Sequence, residues 1–241
     1  MIELKNISCA YNKQIIFENV SLVINSHLTI LGENGSGKST LAKAICKLCA
    51  FKGEIFIESQ EINTLSLNTR AKAISYIPAK LDIYDSFINV EEFVLLGRFP
   101  YKKSFFDYSK EDKKLVSQTL KFLKIAHLSS HTLNSLSSGE QQLTLIAQAL
   151  TQESKIIIFD EPTANLDPKN SKIIATHIKA LQEKHQIILI THDLHLANFI
   201  NAPIAFIKEK SLHYYENSFF SDSSLEKHYG VSFKALAVKY D

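Results

Sequence analysis

The chain has 241 residues, 45% hydrophobic and 22% charged, enough for one sizeable core with a smaller subdomain set into it. A formal net charge of +2, with Arg70 and Arg98 the only arginines, offers no concentrated basic face, so no nucleic acid is expected as a partner. Three cysteines make no disulfide framework, and the opening MIELKNISCAYNK carries charge too early for a signal peptide. No apolar run nears the roughly 18 residues of a membrane helix, so the expectation is a cytoplasmic chain that reaches a membrane only by docking on another protein.

In chain order, IELKNIS, IIFENVSLVI and HLTIL read as strands. A glycine-bearing turn follows, then a helix, KSTLAKAICKLCAF, expected to end near Gly53. GEIFI and AISYI are the next strands, the latter stopping at Pro78. From about residue 80 to 150 the strand signals vanish, and NVEEFVLLGRF, KEDKKLVSQTLKFLKIAHL and SGEQQLTLIAQALTQ all carry helical periodicity. We therefore read a helical subdomain, 80–150, inserted in a core made of 1–79 and 151–241, the whole being one domain. The rhythm then returns: strand KIIIFD, helix PKNSKIIATHIKALQEKH, strand QIILIT, helix LHLANFI and a closing hairpin, APIAFIKEKSLHYY. Short apolar runs alternating with helices predict an α/β fold with a largely parallel sheet.

GENGSGKST fits G-x-x-x-x-G-K-[ST] from Gly32 to Ser39, after a strand and opening a helix, as a phosphate-binding loop requires. Gly35 and Gly37 let the backbone curl so that successive N–H groups face an anion at a helix N-terminus. Asn34, Ser36 and Thr40 complete the expected nucleotide loop. Lys38 should reach the β- and γ-phosphates and Ser39 should ligate Mg²⁺. KIIIFDE adds Asp160 at the end of a buried strand, to hold Mg²⁺ through water, and Glu161 as general base for the attacking water. His192 in ILITHD follows another buried strand at the same sheet edge, where ligands collect in α/β folds. Cys46 and Cys49 form a lone C-x-x-C and are read as buried thiols; KEDKK is read as a solvated helix face.

The set GENGSGKST, LSSGEQQ, IIIFDEPTANLD and ITHD, in that order over nearly the whole chain, resembles the ATPase subunit of ABC transporters. That resemblance implies a P-loop NTPase core with an N-terminal antiparallel β-subdomain and the inserted helices. It implies ATP and Mg²⁺ as cofactors, and a head-to-tail homodimer in which Ser137, Ser138, Gly139 and Glu140 meet the ATP bound by the partner. It further implies that Tyr11 stacks on adenine, that His192 takes part in catalysis and that Asp167 communicates across the dimer. Two departures stand out. Ala79 occupies the place of a usual glutamine that contacts Mg²⁺ and couples to the membrane subunits. Ser138 replaces a usual signature glycine, and Leu143 a common arginine.

NVEEFVLLGRFPYKKSFFDYSKED and LEKHYGV are similar to ATPases of iron–siderophore, haem and cobalamin importers, and LTLIAQAL to molybdate and tungstate relatives. The likeness implies a bacterial importer ATPase, peripheral at the cytoplasmic face of the inner membrane. Its partners would be transmembrane permease subunits and, through them, a periplasmic substrate-binding protein. The permease groove would be bordered by AKLDIYDSFINVEEF, with Leu81, Ile83, Tyr84 and Phe87 as apolar contacts. Two alternatives stay open: a soluble ABC ATPase outside transport, such as one in iron–sulfur cluster assembly, and a nucleotide-responsive clamp with weak turnover, suggested by Ala79.

Overall fold

The structure, a computed structural model, describes residues 1–12, 14–81, 85, 87–102, 108–217 and 219–230. Three strands come first: β1 (Ile2–Tyr11), β2 (Gln14–Ile24) and β3 (Leu28–Gly32). They lead into helix α1 (Lys38–Ile45), strands β4 (Lys52–Ile57) and β5 (Gln60–Glu61), helix α2 (Leu67–Ala73) and strand β6 (Ile74–Ile77). Helices follow: α3 (Val90–Leu95), tightening into a 3-10 stretch Leu96–Tyr101, then α4 (Lys110–Phe122) and α5 (Ser138–Thr151). Strand β7 (Ile156–Asp160), α6 (Pro168–Leu181), β8 (Gln186–Ile190) and α7 (Leu194–Ile200) restore the alternation. The hairpin β9 (Ile204–Lys208) and β10 (Ser211–Tyr215) precedes α8 (Asp222–Tyr229).

Two sheets result. The first, ordered β2-β1-β4-β5, is antiparallel. The second is ordered β10-β9-β3-β8-β7-β6, and every pairing in it except the β10–β9 hairpin is parallel. Alternate residues of the parallel strands enter different cores, because successive side chains point to opposite faces. Ile156, Ile158, Ile188 and Ile190 pack with α1 and the antiparallel sheet. Ile157, Phe159, Ile187 and Leu189 pack with the helical segment and α6. A sheet covered on both faces explains the uninterrupted apolar runs III and IILI. Each fully buried isoleucine contributes roughly 1.5–3 kcal/mol relative to exposure.

Several elements differ from the sequence reading, among them α1, α2 and α8. The first helix stops at Ile45 instead of near Gly53, because Lys47 turns left-handed at φ 54° and Gly53 lies inside β4. The apolar KLCAF stretch is thus a connector: Leu48 points to solvent while Cys49 and Phe51 pack on the core. Helix α2 has no buried residue and so no apolar stripe to read; Ser66 caps it by accepting from the Thr69 N–H at 3.1 Å. Helix α8 packs Leu225 against Phe206 and Phe219 beside the hairpin.

Candidate active site

Strands β3, β8, β7 and β6 are adjacent, so the turns leaving their C-terminal ends share one edge of the sheet. The loop between β3 and α1 is shaped by Gly37, the N-cap of α1, at φ 98°. A Cβ there would sit 2.6 Å from Ile16 Cγ2, so only glycine fits. No side chain caps α1, and the buried Ser36 Oγ has no partner. Uncapped amides and an unpartnered hydroxyl at a helix N-terminus fit an oxyanion ligand such as a phosphate.

Lys38, 6% exposed, donates to the carbonyls of Gly32 at 2.9 Å and Glu33 at 3.0 Å, and lies 3.8 Å from Glu161 Oε1. Burial depresses its pKa, and the neighbouring Glu161 and Asp160 work against that shift. Asp160, 4% exposed, accepts from Ser39 Oγ at 2.8 Å on Oδ1 and from Tyr76 OH at 2.6 Å on Oδ2. Glu161 takes the left-handed conformation at φ 50°, its N–H donating to the Ile190 carbonyl at 2.8 Å. A non-glycine residue held there costs on the order of 1–3 kcal/mol. That conformation aims the carboxylate both ways, Oε1 toward Lys38 and Oε2 to within 2.8 Å of His192 Nδ1. The His192 N–H also points at Oε2, at 3.3 Å. Lys38, Ser39, Asp160, Glu161 and His192 therefore form one constellation, from three strands.

Tyr11 ends β1 and is 48% exposed; burial, with Cys49 nearby, raises its phenol pKa. Cys49 donates to the Thr40 carbonyl at 3.7 Å. Cys46 is buried, and so is Cys9, whose thiol burial pushes up to about 12. Asn34 and Gly35 are exposed at the tip of the loop.

The residues 137–140 open α5. Ser137 is its N-cap: the Ser137 Oγ accepts from the Glu140 N–H at 3.4 Å, and Glu140 Oε2 lies 2.8 Å from Ser137 N and 2.7 Å from its Oγ. Those two donors hold the Glu140 carboxyl below its ordinary range. Ser138 is the first helical residue, and the position of a Gly139 Cβ lies 2.7 Å from Asn170 Cγ. Asn170 in turn donates from its backbone to Asp167 Oδ1 at 2.9 Å and from Nδ2 to Oδ2 at 2.6 Å, where Asp167 caps α6. Sequence reasoning missed Asn170, which joins the 137–140 turn to Asp167 within one chain. It also missed Tyr76. Among the described residues no hydrogen bond or ion pair joins the 137–140 turn to the 32–40 loop.

Ala79 is exposed just past β6, and Leu143 is buried among the helical-segment residues. Leu81 is 7% exposed and packs in that same cluster, whereas Phe87 is 89% exposed. Asp82, Ile83 and Tyr84 lie outside the described residues.

A parallel sheet with a glycine-bearing phosphate loop, a strand-end aspartate beside its serine and a carboxylate–imidazole pair defines the nucleotide-hydrolysing P-loop class. The family model for the ABC transporter matches residues 17–164. The chain belongs to the ABC transporter family, and it is that family's ATP-hydrolysing cassette. It is 31% identical over 217 residues to the probable siderophore transport system ATP-binding protein YusV of Bacillus subtilis, covering 88% of this chain and 78% of that one. It is also 31% identical over 213 residues to the petrobactin import ATP-binding protein YclP of the same organism, covering 86% and 83%. Among solved structures, the dimeric bacterial ABC transporter cassette MJ0796 superposes with a TM-score of 0.78 at 29% identity, covering 88% of this chain and 97% of that one. Among the described residues no helix is long and apolar enough to cross a membrane.

Proposed function

We propose that this chain powers an importer for iron–siderophore complexes or related metal chelates, as a homodimer seated under a transmembrane permease. The observation that carries the ATPase part is the Lys38–Glu161–His192 constellation beside the Ser39–Asp160 pair. In this reading the triphosphate enters the loop of residues 32–40, and Lys38 trades the carbonyls of Gly32 and Glu33 for phosphate oxygens. Tyr11 supports the adenine. Glu161 takes a proton from the attacking water, held in place by His192. Ser39 and Asp160 offer the hard oxygen ligands that suit Mg²⁺, which would supply charge neutralisation of the phosphates. Ser137, Ser138 and Gly139 face the nucleotide of the other copy. Glu140 serves them by bonding Ser137, since a carboxylate turned on a phosphate would repel it.

Transport is supported by the two Bacillus relatives and by the surface between β6 and α4. There a groove of about 620 Å³ is lined by Phe87, Ile88, Leu95, Leu96 and Tyr108, together with the charged Asp85, Glu92 and Lys102. Phe87 holds more apolar area in water than an isolated loop requires. We assign the groove to a permease segment, with Phe87 in its lining while Leu81 stays packed in the core, and with the helical subdomain turning against the core when ATP closes the dimer. The permease places the chain at the cytoplasmic face of the membrane and links it to a periplasmic binding protein.

The test is reconstitution with a permease of the iron–siderophore class, in vesicles, with ATP turnover and uptake of a ferric siderophore measured together. Uptake that stops with Glu161→Gln supports the assignment. Turnover with no permease bound favours a soluble ABC ATPase, and ATP-driven dimer closure with hardly any turnover favours the clamp suggested by Ala79.

A further inference from the structure

Tyr76 belongs to none of the motifs, yet its hydroxyl reaches the aspartate on which the metal site depends. Asp160 is 4% exposed, and a buried carboxylate must have its lone pairs met by donors. Among the described residues it has two side-chain donors, and they are not equivalent. Ser39 lies in the first turn of α1, beside the phosphate loop, and its hydroxyl is itself an oxygen that a divalent cation would take. Once Ser39 turns to a cation, one of the two donors is gone. Tyr76 is rooted in the sheet: it stands opposite Ile158 in β7, two residues before Asp160, and it packs against the core under α1. The register of β6 on β7 therefore sets the reach of the phenol to Oδ2, at 2.6 Å, whatever the loop does. Bonds from hydroxyl to carboxylate at this length are charge-assisted and strongly directional.

We propose that Tyr76 is a positioning residue for Asp160. By holding Oδ2 it fixes the rotation of the carboxylate and presents Oδ1 to the cation that accompanies the nucleotide. The inference rests on the Mg²⁺–ATP reading of this site. Phenylalanine would fill the same space without the donor, so one oxygen atom separates positioning from packing. A packing role would change stability or nucleotide binding under all conditions. A positioning role changes only the dependence on metal.

The experiment titrates a fluorescent ATP analogue onto the full chain, first in EDTA and then at rising Mg²⁺, for the parent, Asp160→Asn, Tyr76→Phe and Tyr76→Met. Thermal melts run in parallel identify any variant that has lost its fold. The parent should bind more tightly as Mg²⁺ rises, and Asp160→Asn should lose most of that gain. Tyr76→Phe should keep the parent affinity in EDTA but need about tenfold more Mg²⁺ for half of the gain, the scale set by losing a hydrogen bond to a charged group. Tyr76→Met, a different shape that also lacks the donor, should repeat the shift and stands in for Tyr76→Phe if that variant does not fold. A parent indifferent to Mg²⁺ overturns the metal reading and the inference with it. If parent and Asp160→Asn behave as expected while the Tyr76 variants need no more Mg²⁺ than the parent, the inference alone falls. It falls equally if affinity drops by the same factor with and without Mg²⁺.

Discussion

At the scale of single residues, the proposed function gives Lys38 and Glu161 separable duties although only 3.8 Å divides them. Lys38→Ala removes the one buried cation at the loop, so ATP affinity should fall by about tenfold or more, the scale of a charge-assisted bond. Equilibrium binding of ATP checks this, and an unchanged affinity would refute the loop assignment. Glu161→Gln keeps shape and removes the proposed base. Steady-state hydrolysis should fall by roughly a hundredfold or more, with ATP binding retained. A variant that turns over at the parent rate would move the base elsewhere. That Lys38, Ser39, Asp160 and Glu161 meet was legible in the sequence, because the motifs that carry them have short fixed spacings. Tyr76 and Asn170 were not. Tyr76 meets Asp160 across 84 residues of chain, a contact that depends on β6 lying beside β7, and no local pattern encodes that neighbour. Asn170 reads as an ordinary first-turn residue of α6 until its contact with Gly139 is known.

At the scale of elements, caps and one buried ion pair hold the helical segment in shape. Ser137→Ala removes the N-cap of α5 and should cost about 1 kcal/mol of stability. It should also weaken ATP-driven dimerisation, because the helix start proposed to face the partner's nucleotide loses its shape. Denaturant melts and light scattering with ATP read the two effects separately. Deeper in the segment, Arg98 donates to Asp112 Oδ1 at 2.7 Å, to the Thr151 carbonyl at 2.8 Å and to Glu153, clamping the 3-10 stretch to α4 and to the end of α5. Arg98→Ala would leave Asp112 buried without its cation, at a cost on the order of 3 kcal/mol. Burial raises the Asp112 pKa, but the bonds from Arg98 and Ser109 outweigh it and leave the carboxyl below its ordinary range. A depressed carboxyl contributes stability that is complete above its unfolded pKa, about 4, and is lost as pH falls through the folded value. The gap in melting temperature between parent and Arg98→Ala should therefore be full at neutral pH and shrink below about pH 4. An equal gap at every pH would show that the charge on Asp112 is immaterial. The long amphipathic helices were legible because an apolar stripe marks them, whereas α2 buries nothing and α1 stops two residues before a lysine whose left-handed turn no periodicity announces.

At the scale of the whole molecule, two cores on opposite faces of one sheet divide the work. One fastens α1 and the antiparallel sheet where nucleotide is expected; the other joins the sheet to the helices bearing the groove. The alternation of strand and helix made the α/β core readable, while the groove was readable only as an apolar excess, since Leu81 and Phe87 look alike in sequence. Their environments then part: Leu81 is 7% exposed and fixed in the core, so its substitution would disturb folding. Phe87 is 89% exposed and carries no such burden, so its truncation should change stability by less than about 0.5 kcal/mol. That makes Phe87 the clean probe of docking. Phe87→Ala should leave the melting temperature and ATP binding of the isolated chain as they are, because neither the phosphate loop nor Tyr11 touches it. Co-purification with the permease should fall severalfold, as truncating an aromatic anchor of an interface typically costs more than 1 kcal/mol. The same preparation is used for all three measurements, so a folding defect cannot pass for a docking defect. Undiminished co-purification would place the permease on another surface, and weakened ATP binding alongside it would mean that Phe87 supports the core after all.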